Sequence, residues 1–237
     1  MSSNKPIRPT GRNLTVRVKT RENRSNSSAQ WLERQLNDPY VAEARKLGYR
    51  SRAAFKLLQL DQKFKLLKPG LRVVDLGAAP GGWLQVTGPK IKITEGRGAL
   101  VAVDLLPMDP VDGAVIFEGD MQDAVIDAKI RAALGGQADL VLSDMAASTT
   151  GHARTDKIRT IALAEAAFAF ACEMLAPNGA FVVKLFQGGA EKELLDQIKA
   201  VFTKVNHAKP EASRAESSEM YLVAQGFRGQ MSGIRGH

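Results

Sequence analysis

The sequence predicts an α/β protein: a mostly parallel, seven-stranded sheet with a final antiparallel strand and helices on both faces. Three observations predict it. From residue 69 onward short apolar runs alternate with stretches of helical pattern. Each of the first five runs closes on an ionisable residue. A last run follows its predecessor too closely for a crossover helix, so it belongs antiparallel to it.

Residues 1–26 hold few large apolar side chains and read as a basic, mobile N-terminal arm, in which "LTVRVK" can form a short strand on contact with something else. Residues 27–68 read as helices, with a capping pair at Ser27 and Gln30 and an interruption at Asp38-Pro39. Arg52, Lys56, Gln59 and Lys63 fall at helical spacing opposite Phe55 and Leu58. Spacing alone favours a solvated helix surface there.

Residues 69–227 form the main domain. Its strand-like runs are "RVVDLG", "ALVAVDLL", "AVIFEGD", "DLVLSDM" and "AFVVKLF", and helices are expected over 82–92, 122–134, 157–176 and 190–203. "MYLVAQGF" at 220–227 is the hairpin partner of "KVNHAKP". Residues 228–237 carry no pattern and read as a disordered tail, and no internal repeat is present.

A chain of 237 residues, 44% hydrophobic and 24% charged, suffices for one sizeable core plus an appendage. Its single cysteine, Cys172, excludes an internal disulfide framework and suits a reducing compartment. No apolar leader and no run of ~18 apolar residues is present, so a soluble cytoplasmic protein with no membrane partner is expected. The first 30 residues hold seven Lys or Arg against one acid, which a mitochondrial transit peptide would also show, and the mitochondrial matrix is the alternative. Residues 1–72 carry 17 basic and 5 acidic residues, a net +12, whereas the rest of the chain is net −4. A polyanion is the simplest partner for such an arm, a solubilising tail the bland alternative. His152, His207 and His237 are far apart, and one cysteine makes no thiolate cluster, so no metal site is expected.

In an open parallel sheet, ligands bind beyond the carboxyl ends of the strands. The residues closing the five runs are Asp75, Asp104, Asp120, Asp144 and Lys184. Five charged groups on one rim repel or demand partners, and a shared site explains them economically. The turn "VVDLGAAPGGW" narrows the ligand. Gly82 is followed by Trp83 and Leu84, which excludes a Walker A loop. No glycine stands two places after Gly77, which weakens a dinucleotide reading without removing it. S-adenosylmethionine matches better: a ribose diol for Asp104, an adenine amine for Asp120, and a cationic amino and sulfonium end for Asp75 and Asp144. It has no pyrophosphate for those acids to repel, and the glycines let backbone approach its methionine end. From the residues alone, this cofactor, NAD and a purely structural rim all stay open.

The motifs "YRSRAAFKL", "VVDLGAAPGGW", "VAVDLLPMDP", "GDMQD", "LVLSDMA", "FVVKLFQG" and "SRAESSEMYLVAQGF" together resemble the FtsJ/RrmJ family, whose members methylate the ribose 2′-oxygen of a uridine in the A-loop of 23S ribosomal RNA. The likeness runs in order from about residue 27 to 227. It implies a Rossmann-like, S-adenosylmethionine-dependent methyltransferase fold, with the cofactor held by Asp75, Gly77, Ala78, Pro80, Gly81, Gly82, Trp83, Asp104, Leu105, Asp120, Met121 and Asp144. It also implies 23S rRNA, on the large ribosomal subunit, as partner, and a monomer. The family's Lys-Asp-Lys-Glu tetrad matches Lys56, Asp144, Lys184 and Glu219, which lifts Lys56 out of its solvated face and gives a strand-edge carboxylate a catalytic place. One departure follows Asp144: the family usually has Pro and Asn, whereas this chain reads "DMAASTTGH", leaving the loop at Ala147 and Ser148 less constrained. A 2′-O-methyltransferase for tRNA or an mRNA cap, and a non-catalytic RNA-binding assembly factor, are the alternatives.

A ribose hydroxyl is a very weak acid, while the sulfonium cofactor carries an activated methyl, so the task is alignment plus proton removal. Lys184 is assigned as base, Asp144 as its orienting partner, and Lys56 and Glu219 as positioning groups. The arm and the Arg50, Arg52 and Lys63 region are expected to track RNA backbone. Trp31, Tyr40 and Tyr49 are candidates for base stacking, against the commoner reading of core aromatics.

Overall fold

A computed structural model describes residues 7–9, 32–33, 35–147, 153–186 and 192–229. The "LTVRVK" run, the Ser27–Gln30 pair, Trp31 and residues 148–152 lie outside them. In chain order the elements are α1 (Pro39–Lys46), α2 (Ala53–Phe64), β1 (Arg72–Leu76), α3 (Gly82–Ile91), β2 (Ala99–Asp104), β3 (Val115–Glu118), α4 (Ala124–Leu134), β4 (Ala138–Ser143), α5 (Ala153–Met174), β5 (Leu175–Phe186), α6 (Lys192–Val201), β6 (Phe202–Ala208) and β7 (Glu219–Phe227). They build one seven-stranded sheet of order β3-β2-β1-β4-β5-β7-β6. The ladders from β3 to β5 are parallel, and β7 runs antiparallel to both β5 and β6.

Local chemistry sets the boundaries. Asp38 caps α1 by accepting from the Tyr40 N–H at 3.0 Å, with Pro39 at the first helical position, so the Asp-Pro interruption is a helix start. Asp123 caps α4 by accepting from the Val125 N–H at 2.7 Å, and Gly135, at φ 67°, ends it. α6 buries Leu194, Ile198 and Val201, spaced four and three apart, as an amphipathic helix must. The fifth strand starts earlier than the apolar run suggests. Leu175 already pairs with Ala138, across an irregularity before Leu140 meets Ala180.

Each strand alternates between two cores. Val74, Leu76, Val101, Val103, Phe181, Val183 and Leu222 pack with α4, α5 and α6 on one face. Val73, Leu100, Ala102, Val182, Tyr221 and Val223 pack with α2 and α3 on the other. Burying both faces is what makes the central runs continuously apolar, and what leaves the carboxyl edge as the place for polar groups.

The helical segment is not a solvated appendage. Gln59 is buried; its amide donates to the Ile7 carbonyl at 2.7 Å, and its oxygen accepts from the Ala212 N–H at 2.8 Å. The sequence reading of a solvated face over Arg52, Lys56 and Gln59 is thus corrected: the loop between β6 and β7 covers it. Ile7 packs with Tyr40, Phe55 and Ala212, and Arg8 pairs with Glu211 at 2.6 Å, so this part of the arm lies against the same loop.

Candidate active site

Topology brings the chemistry to one edge. The parallel strands β1 to β5 present their carboxyl ends there, and β7, running the other way, enters with its amino end, Glu219. In the β5–β7 ladder Lys184 stands opposite Tyr221 and Phe186 opposite Glu219. Lys184 lies two residues beyond Val182 and Tyr221 two residues before Val223, so both side chains point to the α2–α3 face. Lys56, in the first turn of α2, meets them from that face.

Two ion pairs result. The Lys56 Nζ lies 2.7 Å from Glu219 Oε1 and 2.8 Å from Oε2, and the Ser213 hydroxyl donates to Oε1 at 2.8 Å. The Lys184 Nζ lies 3.1 Å from Asp144 Oδ1 and also donates to the Asp144 backbone carbonyl. The fully buried Tyr221 joins the pairs: its hydroxyl donates to Asp144 Oδ1 at 2.6 Å, and the Lys56 Nζ lies 5.7 Å from its ring centroid. All four members of the expected tetrad therefore meet in one charge-balanced cluster. Lys184 is the most deeply placed, with 7% of its side chain exposed.

The electrostatics follow from burial. Burial alone would raise the Asp144 carboxyl; Lys184 and Lys56 beside it, with hydrogen bonds from Tyr221 and Lys184, outweigh that and hold it below the usual carboxylate range. Burial first, then the charges of Asp144 and Glu219, push the Tyr221 phenol well up, so it remains a donor. Tyr221 was not among the sequence candidates. The signal was available, since the residue two places after Glu219 in a strand shares its face.

The neighbouring glycine turn is packed by protein. Gly77, at φ 74°, faces Met145, whose Cγ would lie 2.5 Å from an added Cβ, and Gly81, at φ 98°, faces the Arg50 guanidinium at 2.7 Å. Arg50, expected on RNA, instead donates to the carbonyls of Asp109 at 2.7 Å, Pro110 at 2.6 Å and Pro80 at 3.3 Å, strapping the loop after β2 to the turn. Asp104 closes β2; its Oδ2 accepts from the Ala79 N–H and its Oδ1 from the Leu106 N–H, both at 2.8 Å. Asp120 and Leu105 are exposed in the loops after β3 and β2, Met121 is buried beside Asp120, and Ala78 is buried within the turn while Pro80 is exposed. Trp83, in the first turn of α3 after Gly82, is buried with its Nε1 donating to the Ala53 carbonyl at 2.8 Å and its ring 5.8 Å from that of Tyr221. Of the stacking candidates, Tyr40 is buried against Phe55, and Tyr49 packs edge-on to the same ring. Among the described residues no group of His, Cys, Asp and Glu is arranged to hold a metal ion, and no helix is long and apolar enough to cross a membrane.

Asp75 lies inside β1, not at its end; it is 1% exposed, and no described residue donates to either of its oxygens. Burial, then Asp144 and Asp104, push its carboxyl well above the usual range. Such a group calls for a proton or a cation, which fits a sulfonium cofactor bearing an ammonium and does not fit a pyrophosphate. With a raised folded value, the stability linked to Asp75 is full below the unfolded carboxylate value of ~3.9 and falls as pH rises through the folded one. Asp75→Asn should therefore hold or raise the thermal midpoint of the cofactor-free protein at pH 8 while weakening S-adenosylmethionine binding by about tenfold or more, read by calorimetry. A drop in the midpoint with unchanged affinity would make Asp75 a structural anchor instead.

An acid-rimmed glycine turn beside β1, an acid closing β2, and this sheet order define an S-adenosylmethionine-dependent methyltransferase fold. The FtsJ-like methyltransferase family matches residues 49–227, and the chain belongs to that family. It is 60% identical over 220 residues to ribosomal RNA large subunit methyltransferase E of Paramagnetospirillum magneticum, spanning 92% of this chain and 90% of that protein. It is 56% identical over 227 residues to the protein of the same name from Azorhizobium caulinodans, spanning 96% and 95%. Among solved structures, one from Plasmodium falciparum, described as a ribosomal RNA methyltransferase, aligns with a TM-score of 0.68 at 28% identity, covering 77% of this chain and 100% of that one.

Proposed function

We propose that the chain transfers a methyl group from S-adenosylmethionine to the 2′-hydroxyl of a uridine ribose in the A-loop of 23S rRNA, acting in the cytoplasm as a monomer on the assembling large subunit. The observation that carries this reading is the meeting of two lysine–carboxylate pairs at Tyr221, beside the glycine turn and Asp104. The relatives named ribosomal RNA large subunit methyltransferase E support the choice of RNA.

When bound, the cofactor supplies a methyl already activated on a cationic sulfur. The residues of the chain handle the acceptor. Asp144 accepts from both Lys184 and Tyr221, so its carboxylate is fixed by two donors and in turn fixes the Lys184 amine. Lys184, acting as general base, takes the proton of the ribose hydroxyl as the oxygen attacks. Lys56, gripped by both oxygens of Glu219, holds the ribose side of the cleft, and Ser213 fixes Glu219. The half-buried Asp104 and the exposed Leu105 beside it would hold the cofactor ribose, and the exposed Asp120 its adenine amine. A ribose in tRNA or a cap would ask for the same groups, so the acceptor is decided by assay. With radiolabelled cofactor, unmodified large subunits should take up label recovered as 2′-O-methyluridine, whereas tRNA and capped RNA should take up little. Label on a base, or preferential labelling of tRNA, would replace this reading.

A further inference from the structure

A cleft of about 450 Å³ opens beside the Lys56–Glu219 pair, lined by Gln35, Arg52, Lys56, Arg214, Glu216, Ser217 and Glu219. Two arginines in it share one buried carboxylate. Asp38 Oδ2 lies 2.6 Å from the Arg52 Nη1 and 3.4 Å from the Arg214 Nε, and the side chain of Asp38 is only 7% exposed. Arg52 spends its other Nη on the Ala212 carbonyl and lies over the Tyr40 ring, which leaves its buried Nε without an acceptor. Arg214 is anchored only through Nε; among the described residues nothing accepts from either of its Nη groups.

The cleft attracts an anion by donor geometry more than by net charge. Asp38 and Glu219 balance most of the positive charge, and Glu216 stands exposed at the rim. A guanidinium nonetheless offers five N–H donors in a fixed fork, and Asp38 uses the inner side of Arg214 while its outer fork stays open. A fork held from behind by a buried carboxylate, its Nη groups unpaired, suits a tetrahedral or bidentate oxyanion. Lys56 and Glu219, on the same cleft wall, belong to the proposed ribose site, and the covalent neighbour of any ribose in RNA is a phosphodiester.

We infer that Arg214, positioned by Asp38 and backed by Arg52, binds a backbone phosphate adjoining the target ribose and so sets the register of the RNA strand over Lys184. The choice of RNA as ligand rests on the proposed function. The assignment also revises the role of Arg52, which the sequence suggests as an open backbone tracker: both of its Nη groups are engaged inside the protein and its Nε is buried, whereas the open Nη groups belong to Arg214.

The test compares wild type, Arg214→Ala, Arg214→Lys and Arg131→Ala, the last removing one charge from α4 on the opposite face of the sheet. Binding to purified 23S rRNA is measured by filter retention with S-adenosylhomocysteine present, from 50 to 300 mM salt, so no methyl transfer is needed for the result. Arg214→Ala should weaken binding by about tenfold at 0.1 M salt and flatten the log–log salt slope by about one. Arg214→Lys should keep the slope but lose part of the affinity, because a point charge replaces a fork. Arg131→Ala should match wild type, and all four should bind S-adenosylhomocysteine alike. In parallel transfer assays Arg214→Ala should raise KM for RNA with kcat within a few-fold. Wild-type affinity and slope in Arg214→Ala would overturn the phosphate site, as would a fall in kcat at unchanged binding. A wild type that binds RNA but methylates no ribose would instead remove the proposed reaction, while the slopes would still decide the phosphate site.

Discussion

Lys184→Ala should lower single-turnover methyl transfer by ~10² to 10⁴ while leaving cofactor and RNA binding within a few-fold, the range for a lost general base. Lys184 touches neither the glycine turn nor Asp104; its contacts are Asp144 and the cluster around Tyr221. Lys184→Arg separates proton transfer from charge. An arginine can keep the pairing with Asp144 but stays protonated across the working pH range, so it should be nearly as slow as the alanine variant. The linkage has a definite sign. Asp144 is held below the usual range, so its pairing stabilises the fold above the unfolded value of ~3.9 and is lost as pH falls through the lowered folded value. Without Lys184 one of the lowering charges is gone, so the folded value moves back toward the unfolded one and Asp144 contributes less stability at neutral pH. Near-normal transfer by Lys184→Ala at saturating substrates would pass the proton to Asp144 or to water.

Asp104→Ala should weaken S-adenosylmethionine binding by ~10² to 10³, with kcat at saturating cofactor changed only a few-fold. The carboxylate serves twice. It accepts from the backbone of Ala79 in the glycine turn and of Leu106 in the next loop, and it retains lone pairs for a ribose diol. Hydrogen bonds to a charged group are worth ~1.5 to 3 kcal/mol, and each 1.4 kcal/mol is a factor of ten in affinity. Asp104→Asn keeps one acceptor and should fall between wild type and alanine. Unchanged affinity in the alanine variant would restrict Asp104 to bracing the turn.

The sheet was legible because buried parallel strands read as continuous apolar runs, and the short link before "MYLVAQGF" left only a hairpin for the last pair. The strand-end acids were legible for the same reason, although Asp75 stands one residue short of the end of β1. Spacing, by contrast, shows which residues share a helical face and not what covers that face. Arg52, Lys56 and Gln59 therefore read as solvated, whereas the β6–β7 loop, about 150 residues away in sequence, seals them. Lys56 and Glu219 are joined only in three dimensions, and resemblance alone pointed to them. Arg50 misled because a guanidinium that binds backbone carbonyls looks, in sequence, like one that binds phosphate.

The measurement that bears most directly on this cluster as a ribose methylation site is nucleoside mapping of 23S rRNA from cells lacking the protein, complemented with wild type or with Lys184→Ala. The expected result is a single 2′-O-methyluridine in the A-loop that disappears in the deletion, returns with wild type and stays absent with the variant. An unchanged A-loop in the deletion, with the lost methyl found on a base or in another RNA, would contradict it.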